Sequence, residues 1–248
     1  MEYHNPVLLK ETVDGLNIRP DGVYVDVTFG GGGHSREIMS RLGENGKLFA
    51  FDQDLDALKN AIEDERFTLI NENFRFIKRF LRFHGIKQVD GILADLGVSS
   101  HQFDVAERGF STRFDAELDM RMNQKGDISA YHVVNEYDEQ EISRVLFNYG
   151  ELKNARAMAN VIVTARKDKE IKNSEQLKQV LAKFLPGHKS NKILAQIYQA
   201  IRIEVNQEME VLKEFLEQSL EILKPGGRLS VISYHSLEDR LVKRFVKN

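Results

Sequence analysis

Aspartates and glycines stand where apolar segments of this sequence end, and both residue types can hold a polar ligand. Asp26 lies near the end of a segment with alternating β-branched residues, Val23, Val25 and Val27, and four consecutive glycines, Gly30–Gly33, follow that segment. Asp52 ends the next apolar segment, twenty residues beyond Gly32. Glycines allow positive φ angles and let a ligand lie against backbone amides. In doubly wound folds a carboxylate at the tip of the second strand accepts hydrogen bonds from ribose hydroxyls. The spacing therefore predicts a nucleotide site.

A further aspartate, Asp95, stands near the end of the apolar segment Val89–Leu96, before the loop Gly97–Gln102. Ligands of open α/β sheets gather at the carboxyl ends of the strands, so we expect Asp95 to lie where a transferred group meets its acceptor. A carboxylate inside an apolar strand is costly unless it is hydrogen-bonded. The plain alternative is that Asp95 only caps the loop.

The glycine segment favours S-adenosylmethionine (AdoMet) over NAD without excluding NAD. A strict dinucleotide motif has Gly or Ala at its last position, where this sequence has Ser35. An acidic residue four positions before the first glycine is typical of AdoMet sites, and Asp26 stands there. We expect Asp26, Asp52 and Asp95 to surround the pocket, because carboxylates suit a cationic ligand better than a diphosphate.

The elements that must position these residues form an α/β pattern. The sequence predicts strands at Val23–Val27, Lys47–Phe51, Phe67–Ile70, Val89–Leu96 and Arg228–Ser233, with helices near His34–Leu42, Asp54–Ile62, Phe76–Phe83 and Glu208–Leu223. We expect apolar residues of the lead-in and two helices to face the core: Val7, Leu8 and Leu9; Leu55, Leu58 and Ile62; Met209, Leu212, Leu216, Leu220 and Leu223. Phe74, after the third strand, either stacks on an adenine or belongs to the core.

The α/β pattern is interrupted between Phe103 and about Gln207. This stretch is helical or irregular, with helices predicted near Glu139–Phe147, Arg156–Lys167, Ser174–Phe184 and Lys192–Val205. We therefore predict a Rossmann-like core of residues 1–102 and 207–248, with an inserted, mostly helical domain of residues 103–206 that recognises the substrate.

The composition of the chain narrows the possible classes of protein and of functional site. The chain of 248 residues is 42% hydrophobic and has no cysteine, which excludes disulfides, thiolate metal sites and a cysteine nucleophile. It has no uninterrupted apolar run of about 18 residues, so we expect a cytoplasmic protein with no membrane segment. The net charge is −3, yet residues 150–205 carry eleven basic and five acidic side chains, or +6. This excess is either a solvated helical face or a phosphate-facing surface.

Several separated motifs together resemble one known family. They are His4–Leu8, Thr28–Ser35, Asp95–Ser100, Glu107–Ser111, Leu118–Met122, Pro225–Leu229 and Ser236–Arg240. They closely resemble the RsmH (MraW) family, bacterial AdoMet-dependent methyltransferases that act on the exocyclic amine of a cytosine in the decoding region of small-subunit ribosomal RNA. The resemblance implies a class I methyltransferase core with an inserted helical domain, AdoMet as cofactor, and the small ribosomal subunit with its 16S rRNA as partner.

The resemblance also implies roles for individual residues. It assigns the methionine part of AdoMet to Gly32, Gly33 and His34, and the ribose to Asp52. It places Phe74, Asp95 and Gln102 around the adenosine and the donor. We expect the Asp95 carboxylate or the Leu96 carbonyl to accept a proton or hydrogen bond from the cytosine amine, a reaction that needs no metal. Candidates for holding the flipped base or its phosphates are Ser99, Ser100, Arg108, Asn206, His235 and Arg240.

Three other functions remain open on the sequence. An NAD-dependent oxidoreductase shares the glycine loop and Asp52, and a comparison of NAD and AdoMet binding distinguishes it. A nucleotide-binding module transfers no methyl group, and a small-molecule methyltransferase ignores RNA. Members of the family continue into at least one more strand and a basic tail, whereas this sequence stops at Asn248, so we expect either that the last strand is absent or that the sheet is completed in another way. The sequence does not predict the oligomeric state.

Overall fold

A parallel β-sheet forms the centre of the computed structural model, which describes residues 6–247. Its five strands are β1 (Val23–Asp26), β2 (Lys47–Phe51), β3 (Phe67–Ile70), β4 (Val89–Asp95) and β5 (Leu223–Ile232). They pair in the order β3-β2-β1-β4-β5, and every pairing is parallel. Parallel strands joined through helical crossovers in this order form a Rossmann-like sheet, which confirms the predicted fold class. Ligands of such sheets bind at the carboxyl ends of the strands.

Eleven α-helices occur in the described part of the chain. They are α1 (Leu9–Gly15), α2 (Gly33–Arg41), α3 (Ile77–Phe83), α4 (Ser100–Asp104), α5 (Ala130–Asn135), α6 (Glu139–Asn148), α7 (Ala155–Asp168), α8 (Ser174–Val180), α9 (Ser190–Asn206), α10 (Glu208–Ile222) and α11 (Ser236–Lys247). Short 3-10 helices lie at Leu55–Asn60, Phe74–Phe76, Ala106–Arg108, Ala182–Phe184 and Gly187–Lys189. Within residues 6–247, no helix combines the length and the apolar character needed to cross a membrane.

The sheet has side chains on both of its faces, because successive strand residues point in opposite directions. On one face Val25, Phe49 and Ile92 pack with Phe215 and Leu216 of α10. The other face carries a second cluster, formed by Val13, Leu16, Tyr24, Ile38, Met39, Leu42, Leu48 and Leu93. Phe215 is fully buried, so its truncation to alanine is expected to cost about 3–5 kcal/mol of stability. This two-sided core holds the strand ends in place.

The helix predicted over Asp54–Ile62 is wrong in type and in one of its inward residues, since Leu58 is exposed, whereas Ile62 packs against the core as predicted. The structure has a 3-10 helix at Leu55–Asn60, started by the Asp54 side chain, which accepts a hydrogen bond from the Asp56 N–H. Three residues per turn replace the α-helical period, so the predicted spacing does not hold. Ala57 is the buried residue, and Leu58 is 40% exposed.

Three other predicted core positions are also wrong. In α10, Leu220 is 69% exposed, because the buried stripe is centred on Val211, Phe215 and Ile222 and turns Leu220 to the opposite side. In the lead-in, Val7 and Leu8 are exposed, and Val13 and Leu16 of the following segment are buried. Leu8 has a left-handed backbone (φ 49°) just before α1, which redirects the chain there.

The strand predicted to begin at Arg228 begins at Leu223 instead. Leu223 pairs with Val89, and the register then shifts before Arg228 pairs with Gly91. The Pro-Gly-Gly segment therefore lies in an irregular start of β5, since bulges accommodate such residues at a sheet edge.

The chain divides into two compact units, Met1–Ser100 with Met209–Asn248 and His101–Glu208. The first unit contains the sheet, and the second contains α5 to α9. The helices predicted near Glu139, Arg156, Ser174 and Lys192 are present, although α8 ends at Val180 before a separate 3-10 turn. The boundaries place Gln102, a predicted cofactor ligand, in the helical unit.

Candidate functional site

The glycine loop between β1 and α2 has the predicted left-handed backbone. Gly30 has φ 50° and Gly32, the residue that precedes α2, has φ 76°. A Cβ on Gly32 would lie 2.9 Å from the Phe29 ring, and one on Gly33 would lie 2.1 Å from Pro6 Cγ. No side chain caps α2, and its first turn has no acidic residue. Its N-terminal N–H groups therefore suit a ligand carboxylate or other anion.

Asp52 is hydrogen-bonded directly to this loop. The Gly30 N–H donates to Asp52 Oδ2 at 2.7 Å, and the Asp54 N–H donates to Oδ1 at 2.8 Å. Burial raises the pKa of Asp52 to about 6, although the two backbone hydrogen bonds act in the opposite direction. Each carboxylate oxygen keeps acceptor capacity beyond its one backbone bond, so Asp52 can still bind a pair of hydroxyl groups.

Two carbonyl groups of the glycine loop accept hydrogen bonds from side chains outside the loop. Asn60 Nδ2 donates to the Gly30 carbonyl at 3.1 Å. Arg36 donates from Nη1 to the Gly31 carbonyl at 2.6 Å and from Nη2 to the Asn60 carbonyl at 2.9 Å. The loop conformation is therefore set by hydrogen bonds within the protein itself.

Asp26 does not face a ligand pocket, contrary to the sequence-based expectation. It is fully buried, and it accepts hydrogen bonds from Ser35 Oγ at 2.7 Å and from the Thr28 N–H at 3.0 Å. Burial raises its pKa, and the hydrogen bond from Ser35 is the largest opposing influence. A buried carboxylate needs such partners, and here they tie the end of β1 to the first turn of α2. Asp26 is thus a structural support of the loop.

Asp95 lies at the end of β4 between two aromatic side chains. Tyr234 donates its hydroxyl hydrogen to Asp95 Oδ1 at 2.8 Å. His34 Nδ1 lies 3.8 Å from Asp95 Oδ2, while His34 Nε2 lies 3.1 Å from the Val7 carbonyl oxygen. Burial raises the pKa of Asp95, and the Tyr234 hydrogen bond lowers it in part. The Asp95 carboxylate is half-buried and remains able to accept a further hydrogen bond.

The corner after Asp95 lies against the glycine loop. A Cβ on Gly30 would lie 3.6 Å from Ser99 Cβ, and Thr28 Oγ1 accepts a hydrogen bond from the Asp95 N–H at 2.7 Å. Gly97 has φ 93°, in the region that glycine favours. The loop, Asp52 and the Asp95 corner are therefore neighbours at the carboxyl ends of the strands, and their predicted role as one ligand site stays a prediction.

Sequence reasoning missed Tyr234. Its hydroxyl reaches Asp95 across 139 positions of the chain, and no local motif reveals such a contact. One signal was available: parallel pairing of β4 with β5 sets Ile232 beside Asp95, so the residues after β5 must lie near the corner.

The predicted adenosine ligands have the following positions. Phe74 is half-buried and packs edge-on against Phe215, with ring centroids 5.3 Å apart. Its predicted stacking on an adenine stays a prediction. Gln102 is buried in α4, and its predicted contact with the donor also stays a prediction.

Two residues predicted to hold the substrate support the loop Leu118–Met122 of the helical unit. Arg108 is buried and donates to the Arg121 carbonyl at 2.9 Å. Asn206 donates to the Met120 carbonyl and accepts from the Met122 N–H, both at 2.8 Å. These bonds give both residues a structural role, and their contact with RNA stays a prediction.

The other predicted substrate residues lie near strand ends or on helices. His235 Nε2 is 3.2 Å from the buried Glu238 Oε1, and Arg240 is exposed on α11. Ser99 lies at the corner, and the exposed Ser100 begins α4. His4 and Asn5, which belong to the first family motif, lie outside the described residues.

The sequence is similar to a large set of known proteins. The profile of the MraW methylase family matches residues 1–248. Ribosomal RNA small subunit methyltransferase H of Flavobacterium johnsoniae is 79% identical over 248 residues, which are 100% of this chain and 82% of that protein. The protein of the same name from Christiangramia forsetii is 70% identical with the same coverage. That from Bacteroides thetaiotaomicron is 57% identical over 247 residues, or 100% of this chain and 81% of the relative.

Proposed function

The chain belongs to the MraW methylase family, and on that premise we propose that it transfers a methyl group from AdoMet to the 4-amino group of a cytidine in the decoding region of 16S ribosomal RNA. The fold is that of the class I AdoMet-dependent methyltransferases. Ribosomal RNA of the small subunit appears in the names of the similar proteins, and the motif resemblance supports the cytidine amine.

The observation that carries the proposal is the link between Gly30 and Asp52. This hydrogen bond joins the glycine loop to the acid after β2 and leaves the Asp52 carboxylate ready to accept from ribose hydroxyls. The helix start at Gly33 and His34 suits the carboxylate of a methionine moiety. AdoMet, when bound, supplies a methyl group on a positively charged sulfur. The residues that would hold it are Gly32, Gly33, His34 and Asp52, with Phe74 and Gln102 proposed at the adenosine.

Asp95 is the proposed acceptor for the cytosine amine. The lone pair of that amine is delocalised into the ring, so hydrogen bonds from the amine to nearby acceptors favour the form that attacks. The Asp95 carboxylate and the neighbouring Leu96 carbonyl lie at the corner beside the glycine loop. Tyr234 and His34 hold the Asp95 side chain toward that corner, which orients it for this role.

Methyl transfer is tested directly with small ribosomal subunits from cells that lack this activity. We expect label from methyl-tritiated AdoMet to enter 16S RNA and the modified base to map to a single cytidine, as N4-methylcytidine. Label on another base contradicts the cytidine assignment. Absence of transfer to both subunits and naked 16S RNA contradicts the RNA methyltransferase assignment.

Replacement of Asp95 by asparagine tests the acceptor role. The variant keeps the shape of the side chain and removes its negative charge, so we expect kcat to fall by about 10²–10⁴-fold. The Kd for AdoMet, measured by calorimetry, should stay within a few-fold of the wild type. The matched control is Asp21→Asn, which changes an exposed aspartate before β1 and should leave kcat unchanged. Full turnover by Asp95→Asn is incompatible with the assignment.

A further inference from the structure

Tyr234 combines an exposed ring with a fixed hydroxyl group. Its hydroxyl donates to Asp95 Oδ1 at 2.8 Å, yet the residue is 53% exposed. An exposed aromatic side chain leaves a large apolar area in contact with water, which is unfavourable compared with a buried position in the core. The hydrogen bond keeps the ring at the rim of the site.

The backbone of Tyr234 is fixed as well. Its N–H donates to Glu238 Oε2 at 2.8 Å, and Glu238 is only 2% exposed. On the side of the corner, a Cβ on Gly97 would lie 3.5 Å from Tyr234 Cδ2, so the ring rests close to a residue with no side chain. Both ends of Tyr234 are therefore anchored, and its ring is pre-oriented.

The ring lies on the acceptor side of the site. The proposed ribose ligand Asp52 follows β2, and β2 and β5 lie on opposite sides of the β1–β4 pair in the sheet. Tyr234 follows β5 and lies against the site at Asp95 and Gly97. A molecule that contacts this ring and Asp95 together is thus placed away from Asp52.

We propose that the Tyr234 ring is a stacking platform for the extruded pyrimidine base whose amine binds Asp95; this inference rests on the proposed function. The Tyr234 hydroxyl donates to the Asp95 carboxylate. A planar base whose amine donates a hydrogen bond to Asp95 therefore lies within reach of the face of the Tyr234 ring. Base–aromatic stacking contributes about 1–3 kcal/mol per base. An enzyme that extrudes a base must offset the lost stacking in the RNA, and an aromatic platform does so.

The hydroxyl has a separate, positioning role. Burial, together with the hydrogen bond to Asp95, raises the pKa of Tyr234 above its usual value, so the phenol stays protonated and donates. Its donation lowers the pKa of Asp95, which keeps more of that carboxylate ionised. The ring and the hydroxyl are therefore expected to affect different kinetic quantities.

Two substitutions separate these roles. Tyr234→Leu removes the ring and the hydroxyl, and we expect KM for small subunits to rise by about 10- to 100-fold, with the Kd for AdoMet within twofold of wild type. Tyr234→Phe keeps the ring, so KM for the subunits should stay near the wild-type value. Without the hydroxyl the pKa of Asp95 rises further, so the acidic limb of the kcat profile should move to higher pH.

Folding is checked by thermal melting, and Tyr234→Gln replaces Tyr234→Leu if the latter does not fold. A KM for subunits unchanged in the ring-deleted variant overturns the platform and leaves the proposed function intact. A weakened AdoMet Kd in that variant also overturns it, because the ring would then serve the donor. No transfer by the wild type to subunits or naked 16S RNA overturns the proposed function and the platform together.

Discussion

At the scale of single residues, the ionisation of Asp52, the proposed ribose ligand, should affect AdoMet binding. Its two oxygens accept N–H bonds from Gly30 and Asp54, which fix the carboxylate plane. Burial brings its pKa to about 6, so the site changes charge within an accessible pH range. A protonated carboxyl group has fewer free acceptor positions for ribose hydroxyls than a carboxylate.

We therefore expect AdoMet binding to weaken as the pH falls through about 6. The ionised form is the one that binds, so protons compete with the ligand, and the Kd should rise by up to about tenfold per pH unit below that pKa. Calorimetric titration between neutral pH and the lower limit of stability measures this dependence.

The Asp52→Asn variant isolates this group from other titrating side chains. This variant should bind AdoMet more weakly at neutral pH, and its Kd for AdoMet should no longer rise as the pH falls through the pKa of Asp52. If the variant keeps the wild-type pH dependence, another group is responsible.

The sequence predicted some of these residues better than others. Gly32 and Asp52 were predictable because a nucleotide loop requires positive φ and a carboxylate at a strand tip. The inward turn of Asp26 was not, since a carboxylate next to a glycine loop can face either the ligand or the helix. Here Ser35, which departs from the dinucleotide motif, supplies the partner that turns Asp26 inward.

At the scale of elements, α11 depends on a buried glutamate at its start. Glu238 Oε2 accepts from the Tyr234 N–H, and Oε1 lies 3.2 Å from His235 Nε2. Through these contacts Glu238 holds Tyr234 and His235, the residues just before the helix, and so joins α11 to the end of β5. The helix start and the orientation of Tyr234 are therefore set by the same side chain.

Glu238→Ala is expected to lower the free energy of unfolding by about 1–3 kcal/mol, because it removes a cap and leaves buried N–H groups unpaired. Chemical denaturation followed by circular dichroism measures the change. The control is Asp239→Ala in the same helical turn, which loses only a surface ion pair with Lys243 at 2.9 Å. That change should cost less than about 1 kcal/mol. Equal effects of the two substitutions would contradict the capping role.

The strands were the most predictable elements. β2 and β3 have the predicted bounds, since each is a short continuous apolar run that ends abruptly at a polar residue. The 3-10 turn at Leu55–Asn60 was not predictable, because Leu55, Leu58 and Ile62 also fit an α-helical stripe. The start of β5 at Leu223 depends on pairing with Val89, a distant partner that local sequence does not reveal.

At the scale of the whole molecule, charge is unevenly distributed along the chain, and we propose that the basic segment of residues 150–205 in the helical unit faces RNA phosphates. The chain has a net charge of −3, whereas residues 150–205 carry +6. Lys189 and Lys192, at the start of α9, are exposed. Basic side chains that contact phosphates release counterions, which makes binding depend on salt.

We expect the double substitution Lys189→Gln with Lys192→Gln to weaken 16S RNA binding and to reduce the slope of log K against log salt by up to about 2. Filter binding across a salt series measures both quantities. The control is Lys47→Gln with Lys87→Gln, an equal change of charge at exposed positions before β2 and β4. Those positions lie at the amino ends of strands, opposite the site, so a smaller effect is expected. An equal effect would indicate general charge attraction.

Hydrogen bonds within the protein hold the glycine loop to Asp52, Arg36 and Asn60. We expect a loop held by its own hydrogen bonds to bind its ligand in one elementary step, because no ordering event is needed. In stopped-flow mixing with AdoMet, the signal should thus follow a single exponential whose rate constant rises linearly with concentration. A rate constant that levels off would reveal a slow rearrangement after encounter.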